Sequence, residues 1–292
     1  MWFDPHQLSE RHDQLVVAVL TGFGLDGQKS TWNDSDLVVC ASACQLAITG
    51  DTDLPPLRSA VPQGYLHGAG DLAVGALTAL HERNRSGRGQ LVDVLAQEAF
   101  IQASFSYSLN EAWQAPVLGR TGEGINAGPF VIRWGYPAAD GEVSITFLFG
   151  SAFMEFTPKL FQWIWEEGEC DEATRDKPWE DYTLLLALGE EPISELYRLH
   201  DVLAAFMSKR TKAELVAEAT RWRLLLAPVS ELREVIEIDR LRSRGFWDHV
   251  DQAGDRFYRH TGRSFIASAQ PLKELTAPSL LGVDTDEVLA EP

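Results

Sequence analysis

Residues 68–94 read GAGDLAVGALTALHERNRSGRGQLVDV. Leu72, Ala73, Ala76, Leu77 and Leu80 recur at helical spacing, which predicts a helix over Gly68–Arg85 with those side chains buried. Gly68, Ala69, Gly70 and Gly75 carry so little side chain that a neighbouring element can approach closely. Ser86-Gly87-Arg88-Gly89-Gln90 then predicts a turn, Leu91–Val94 a short strand, and the following residues a third helix to about Trp113. Upstream, Leu15–Leu20 (LVVAVL) is a continuous Val-rich run, the pattern of a strand buried on both faces of a parallel sheet. Between the two strands, Asp36–Ala47 also reads as helix. Strands alternating with helices make this half of the chain α/β.

The first strand runs into Thr21-Gly22-Phe23-Gly24. Loops at the carboxyl ends of parallel strands are where such sheets place ligands, so Gly22, Phe23 and Gly24 are candidate ligand-facing residues; an ordinary tight turn is the other reading. Residues 119–128 (GRTGEGINAG) hold four glycines, which suits either an interdomain linker or a nest of free N–H groups. Gly122 and Gly124 are the candidates there.

Beyond that segment the texture changes. Pro137-Ala138-Ala139-Asp140-Gly141 is a hairpin signal before the alternating strand Val143–Phe147. Phe153, Phe156, Leu160, Phe161 and Ile164 recur at helical spacing as a core stripe, and the acidic stretch Trp165–Tyr182 reads as a solvated excursion. Thr211-Lys212-Ala213-Glu214 is a capping box, and Leu224–Val229 reads as strand. This region predicts a smaller α+β domain.

Twenty-five basic against 43 acidic residues give a net charge of −18. Such a surface repels polyphosphate and anionic membranes, so nucleic acid and membrane are not expected partners, and a phosphorylated ligand needs local amides and basic groups. Three cysteines without recurring spacing describe neither a disulfide framework nor a zinc set, and the N-terminus lacks a signal-peptide pattern. A soluble cytoplasmic protein without a bound metal is expected.

Strand plus TGFG (21–24), SDLVVCA (35–41), the helix ending ALHERNRSGRGQLVDV (79–94) and AQEA (96–99) together resemble the middle of a class III coenzyme A-transferase. That superfamily, the CaiB/BaiF type, includes formyl-CoA transferase, carnitine CoA-transferase and α-methylacyl-CoA racemase. YPAADGEVSI (136–145), SKRTKAELV (208–216), LLAPVSELREV (225–235), RLRSRGFW (240–247) and APSLLGVDTDEVL (277–289) follow in the family's order.

The resemblance implies an incomplete Rossmann-like large domain, residues 1–115, joined by the glycine-rich linker 116–130 to an inserted small α+β domain, 131–260. Residues 261–292 would return to the large domain. It also implies interlocked dimers, a CoA thioester as substrate with no permanently bound cofactor, and a carboxylic acid as second substrate. Family members carry further residues at the front that complete the core, so a longer CoA-transferase paralogue is the expected partner, in a homo- or hetero-oligomer.

In the family's transferases an aspartate ahead of the small-residue helix attacks the thioester and carries the acyl group. Counting back from Gly87-Arg88-Gly89-Gln90 without gaps, that position is Tyr65. The racemases' histidine base falls on Ser35. Tyr65, His67 and Asp71 are therefore the catalytic candidates, although Asp71 lies about 9 Å further along the helix. The expected function is CoA transfer as a subunit whose partner supplies the missing half and an aspartate. The alternatives are a non-catalytic CoA-binding or assembly subunit, a truncated pseudo-enzyme and, with less support, a racemase or epimerase.

Overall fold

Val17–Thr21 (β1) and Leu91–Leu95 (β2) pair in parallel in this computed structural model, in the register Val17↔Leu91 to Thr21↔Leu95. The structure describes residues 4–104, 119–122, 124–127, 130–252, 256–262, 265–269 and 281–290. A short helix, Pro5–Arg11 (α1), precedes β1, capped by the Asp4 side chain.

β1 was expected to be buried on both faces, yet its residues are half-buried and Ala18 is exposed. Helix Gln63–Ser86 (α4) covers the strands through its glycines: a Cβ on Gly68 would lie 2.6 Å from Leu20 Cδ1, and one on Gly75 2.8 Å from Val92 Cγ1. The sequence pattern put leucines on this face. Instead Gly64, Gly68 and Ala79 are buried, while Ala73 is exposed and Leu77 is 67% exposed. Close approach is available only where no side chain intervenes, so the small residues won the contact.

The helix expected over 36–47 is two pieces, Asp36–Ser42 (α2) and Gln45–Ile48 (α3). Cys44 breaks it with φ +69°, so buried Cys40 and exposed Cys44 do not share a helical face. Ala96–Ala103 (α5) follows β2 directly, and the rest of the expected third helix lies outside the described residues. The glycine-rich segment is not simply a linker: Gly124–Ala127 (β3) pairs antiparallel with Phe130–Arg133 (β4).

Gly135–Ala138 (β5) and Gly141–Ile145 (β6) form the expected hairpin. Helices Thr157–Glu166 (α6), Glu172–Arg175 (α7), Tyr182–Leu188 (α8), Ile193–Ser208 (α9) and Lys212–Trp222 (α10) follow. Thr211 and Glu214 satisfy each other's backbone N–H at the start of α10, as their spacing required. The strand expected over 224–229 is Leu226–Pro228 (β7). The acidic stretch is not a solvated excursion: Trp179 stacks on Phe161 at 4.6 Å and Tyr182 is fully buried. Most of its acidic side chains stay exposed while its rings enter the core.

The chain divides into two compact units, Met1–Ala227 and Pro228–Pro292. The resemblance places its limits at 115, 130 and 260 instead. The first unit holds a large core, including Phe147, Phe161, Trp163, Leu199 and Phe206, and a small separate one of Cys40, Ala43 and Phe100. The second contains helices Leu232–Ile236 (α11) and Asp239–Ser243 (α12), a hairpin of Trp247–Gln252 (β8) with Arg256–Thr261 (β9), and Thr285–Ala290 (α13). Among the described residues no helix is long and apolar enough to cross a membrane.

Candidate functional site

The turn after β1 is tied down on every side. Gly24 has φ +89° and donates its N–H to Thr21 Oγ1 at 2.7 Å, closing the bend. Leu25 N–H donates to Asp93 Oδ2 at 2.9 Å, which gives Asp93 a structural role across the two strands. Phe23 is buried, edge-on to exposed Trp32 at 5.9 Å, and Lys29 Nζ lies over both rings. Gly22 N–H donates to Asp34 Oδ2 at 2.9 Å. A Cβ on Gly22 would fall 2.4 Å from that oxygen, so the contact requires glycine.

Asp34 opens the segment that starts α2. Ser35 caps this helix, accepting from Val38 N–H at 3.4 Å. Asp36 does the same for α4, whose own N-cap is Pro62: its Oδ1 accepts from Gly64 N–H at 2.9 Å and Tyr65 N–H at 3.4 Å. Asp36 Oδ2 also meets Arg58 Nη2 at 3.4 Å and Cys40 Sγ at 3.5 Å. Burial, and then the Asp36 charge, push the Cys40 thiol up, which disfavours the thiolate.

α4 begins five residues earlier than its sequence pattern indicated, so Tyr65 sits inside its first turn rather than ahead of it. The phenol is half-buried, with the Asp34 carboxylate nearby. Burial first, then the neighbouring Asp34 and the charge of Asp36, push it up to about 12. At neutral pH it is a donor and neither a base nor an anion.

Gly22, Phe23, Gly24 and Tyr65 are thus brought to one place. His67 and Asp71 are not. Two residues along a helix is a turn of about 200°, and His67 accordingly stacks on Phe100 at 5.1 Å, beside a cavity of about 310 Å³ that also meets Cys40 and Leu57. Asp71 is exposed further along the helix. Gly122 and Gly124 line a different cavity, of about 420 Å³, with Asp51, Arg133, Tyr197 and His200. Gly122 has φ +66° and donates its N–H to Gly50 C=O at 3.0 Å.

His200, in α9, was not singled out from the sequence, where a histidine on an amphipathic helix carries no signal. It is 6% exposed, with Tyr136 Oη 2.6 Å from its Nδ1. Burial, then the Arg133 charge, hold it down at about 4. Its ordinary value is 6.5, so below pH 6.5 the unfolded chain takes the proton and the folded chain does not. Stability is expected to fall as pH drops from about 6.5 to about 4, and His200→Gln should flatten that slope in a series of thermal midpoints. Glu195, held at about 2 first by its Arg198 hydrogen bond, loses its contribution in a lower window, so the two effects separate. Among the described residues no group of three or more His, Cys, Asp and Glu is placed to hold a metal.

The sequence profile described as CoA-transferase family III matches residues 1–285. The chain belongs to CoA-transferase family III. It is 30% identical over 242 residues to the succinyl-CoA:(R)-benzylsuccinate CoA-transferase subunit BbsE of Thauera aromatica, covering 82% of this chain and 56% of that one. Formyl-CoA:oxalate CoA-transferase of Rhodopseudomonas palustris (strain HaA2) is 26% identical over 306 residues, 100% of this chain and 69% of the relative. The chain therefore spans little more than half of BbsE. A CAIB/BAIF family protein from Brucella suis superposes with a TM-score of 0.75 at 17% identity, over 99% of this chain and 70% of the other, so the two share a mixed α/β fold.

Proposed function

We propose that this family III chain transfers CoA between an acyl-CoA and a carboxylic acid as one subunit of a heteromer. The observation that carries the reading is the profile match over residues 1–285, a span that includes the Gly22 turn, the start of α2 and the first turn of α4. The subunit role draws on the likeness to BbsE and on the bare parts of the large-domain half. Leu66, Val74 and Leu77 along α4 are 58%, 66% and 67% exposed, more apolar surface than one helix ordinarily leaves in water. A longer paralogue in the cytoplasm, interlocked with this chain, would cover them.

In this reading residues 1–115 and 261–292 build the Rossmann-like large domain and 131–260 the inserted small one. The Gly22-Phe23-Gly24 turn and the cavity lined by Gly122 and Gly124 face the CoA thioester, while the Gly22, Gly24 and Gly122 amides hold these loops in shape. Tyr65 stands where the family has its aspartate. A racemase role has little support, because Ser35 is engaged as a helix cap and cannot shuttle protons. A non-catalytic assembly role is the second reading, favoured by Tyr65 itself.

Isolating the native complex through a tag on this chain and assaying CoA transfer from succinyl-CoA and formyl-CoA to carboxylic acids tests the proposal. The complex should turn over, and the chain alone should be slower by at least about 10³-fold. A complex that is inactive, or whose activity ignores every change in the Gly22 turn, would leave only assembly.

A further inference from the structure

His200 lines the cavity of about 420 Å³ that also meets Gly122 and Gly124, and it is 6% exposed. Tyr136 Oη lies 2.6 Å from its Nδ1, a separation that suits an O–H donor and is short for an N–H donor. The phenol therefore donates. Burial, then the Arg133 charge, keep the ring neutral, so its one proton sits on Nε2. Nε2 is buried and makes no hydrogen bond among the described residues, with the Val131 backbone near it. A buried N–H without an acceptor is costly, and a ligand oxygen in the adjoining cavity would satisfy it.

The charges around this cavity are sorted by depth. Arg133 is half-buried, with its Nε donated to Gly135 C=O at 2.7 Å, and its charge is felt at the imidazole. The His200 wall therefore favours a negatively charged oxygen. Asp51 and Asp201 are exposed, and Tyr197 is 48% exposed, so these three form the mouth. Asp51 sits against Gly122: a Cβ on that glycine would fall 2.9 Å from Asp51 Oδ1. Two carboxylates beside an aromatic ring attract a cation and repel a second anion.

We propose that this cavity binds the acid substrate and that the acid is an aminocarboxylic acid, its carboxylate accepting from His200 Nε2 and its ammonium group meeting Asp51 and Asp201. The proposal rests on the CoA-transfer reading, which needs an acid beside the thioester. A plain fatty acid would satisfy the inner wall and leave the two mouth carboxylates without a counter-charge. A dicarboxylate would set its second charge against them. Selectivity for the amino group is thus built by the mouth, and retention of the acid by the buried N–H.

Ligand-observed NMR titrations of the native complex with γ-aminobutyrate, butyrate and succinate test this. γ-Aminobutyrate is expected to bind at least about tenfold tighter than butyrate, with succinate the weakest of the three. His200→Phe keeps a ring but removes the Nε2 donor, and should weaken γ-aminobutyrate by at least about tenfold. Asp51→Asn combined with Asp201→Asn changes only exposed groups and should bring γ-aminobutyrate and butyrate to equal affinity; it decides the matter where His200→Phe fails to fold. No binding, equal binding in the wild type, or a preference that survives the double substitution overturns the site and leaves CoA transfer standing. Selective binding with no transfer of CoA from succinyl-CoA or formyl-CoA to the bound acid supports the pocket and overturns the CoA-transfer reading.

Discussion

Phe147→Ala is expected to destabilise the first unit by about 3–5 kcal/mol, the range for truncating a fully buried aromatic ring. The side chain is fully buried at the centre of an aromatic cluster. Its ring stands edge-on to Phe149 at 4.7 Å and lies 5.5 Å from Phe161 and 6.1 Å from Trp179. It is also edge-on to His200 at 5.5 Å, so the cluster backs the cavity that contains Gly122 and Gly124. Truncation removes the transfer free energy of the ring, leaves a void the neighbours cannot fill, and forfeits edge-to-face contacts worth about 0.5–1.5 kcal/mol each. Domains are stable by about 5–15 kcal/mol, so the loss consumes much of the margin. Urea unfolding followed by tryptophan fluorescence measures it, since Trp163 and Trp179 belong to the same core. Phe147→Leu, which keeps an apolar side chain in the space but forfeits the edge-to-face contacts, should cost less than Phe147→Ala. A loss below about 1 kcal/mol for Phe147→Ala would mean that the cluster is not the unit's core.

Local patterns with one dominant physical cause were legible in the sequence. The Val-rich run, the glycine turn after it and the strand past Gly89 became the parallel pair β1 and β2 because parallel pairing needs continuous apolar segments. The capping box at Thr211 formed because both halves of its hydrogen bonding are local. Contact faces were harder to read. Hydrophobicity favoured Leu77, but Gly68 and Gly75 decided how closely α4 could approach the sheet, and Leu77 was left outside. The same confusion hid Trp179 and Tyr182, whose rings are buried within a stretch whose charges dominate the composition.

At the candidate site, sequence spacing pointed to Tyr65 and placed Ser35 in its register, but it did not single out Asp34. Asp34 lies one residue before Ser35 in a loop of no regular period, and only the folded turn shows that its carboxylate reaches Gly22. His67 and Asp71 are near Tyr65 only along the chain. Helical geometry turns both away from the phenol: proximity in sequence on a helix is proximity in space only at three or four residues.

The second large effect is the loss of transfer when this chain is separated from its partner. The phenol of Tyr65 holds its proton at neutral pH, so it cannot take an acyl group as the family's aspartate does. Succinyl-CoA turnover of the native complex and of the separated chain, side by side, is the direct measurement. The complex is expected to turn over and the chain alone to be slower by at least about 10³-fold. A chain as active alone as in the complex would contradict the reading of a subunit that depends on its partner for the acyl-accepting group.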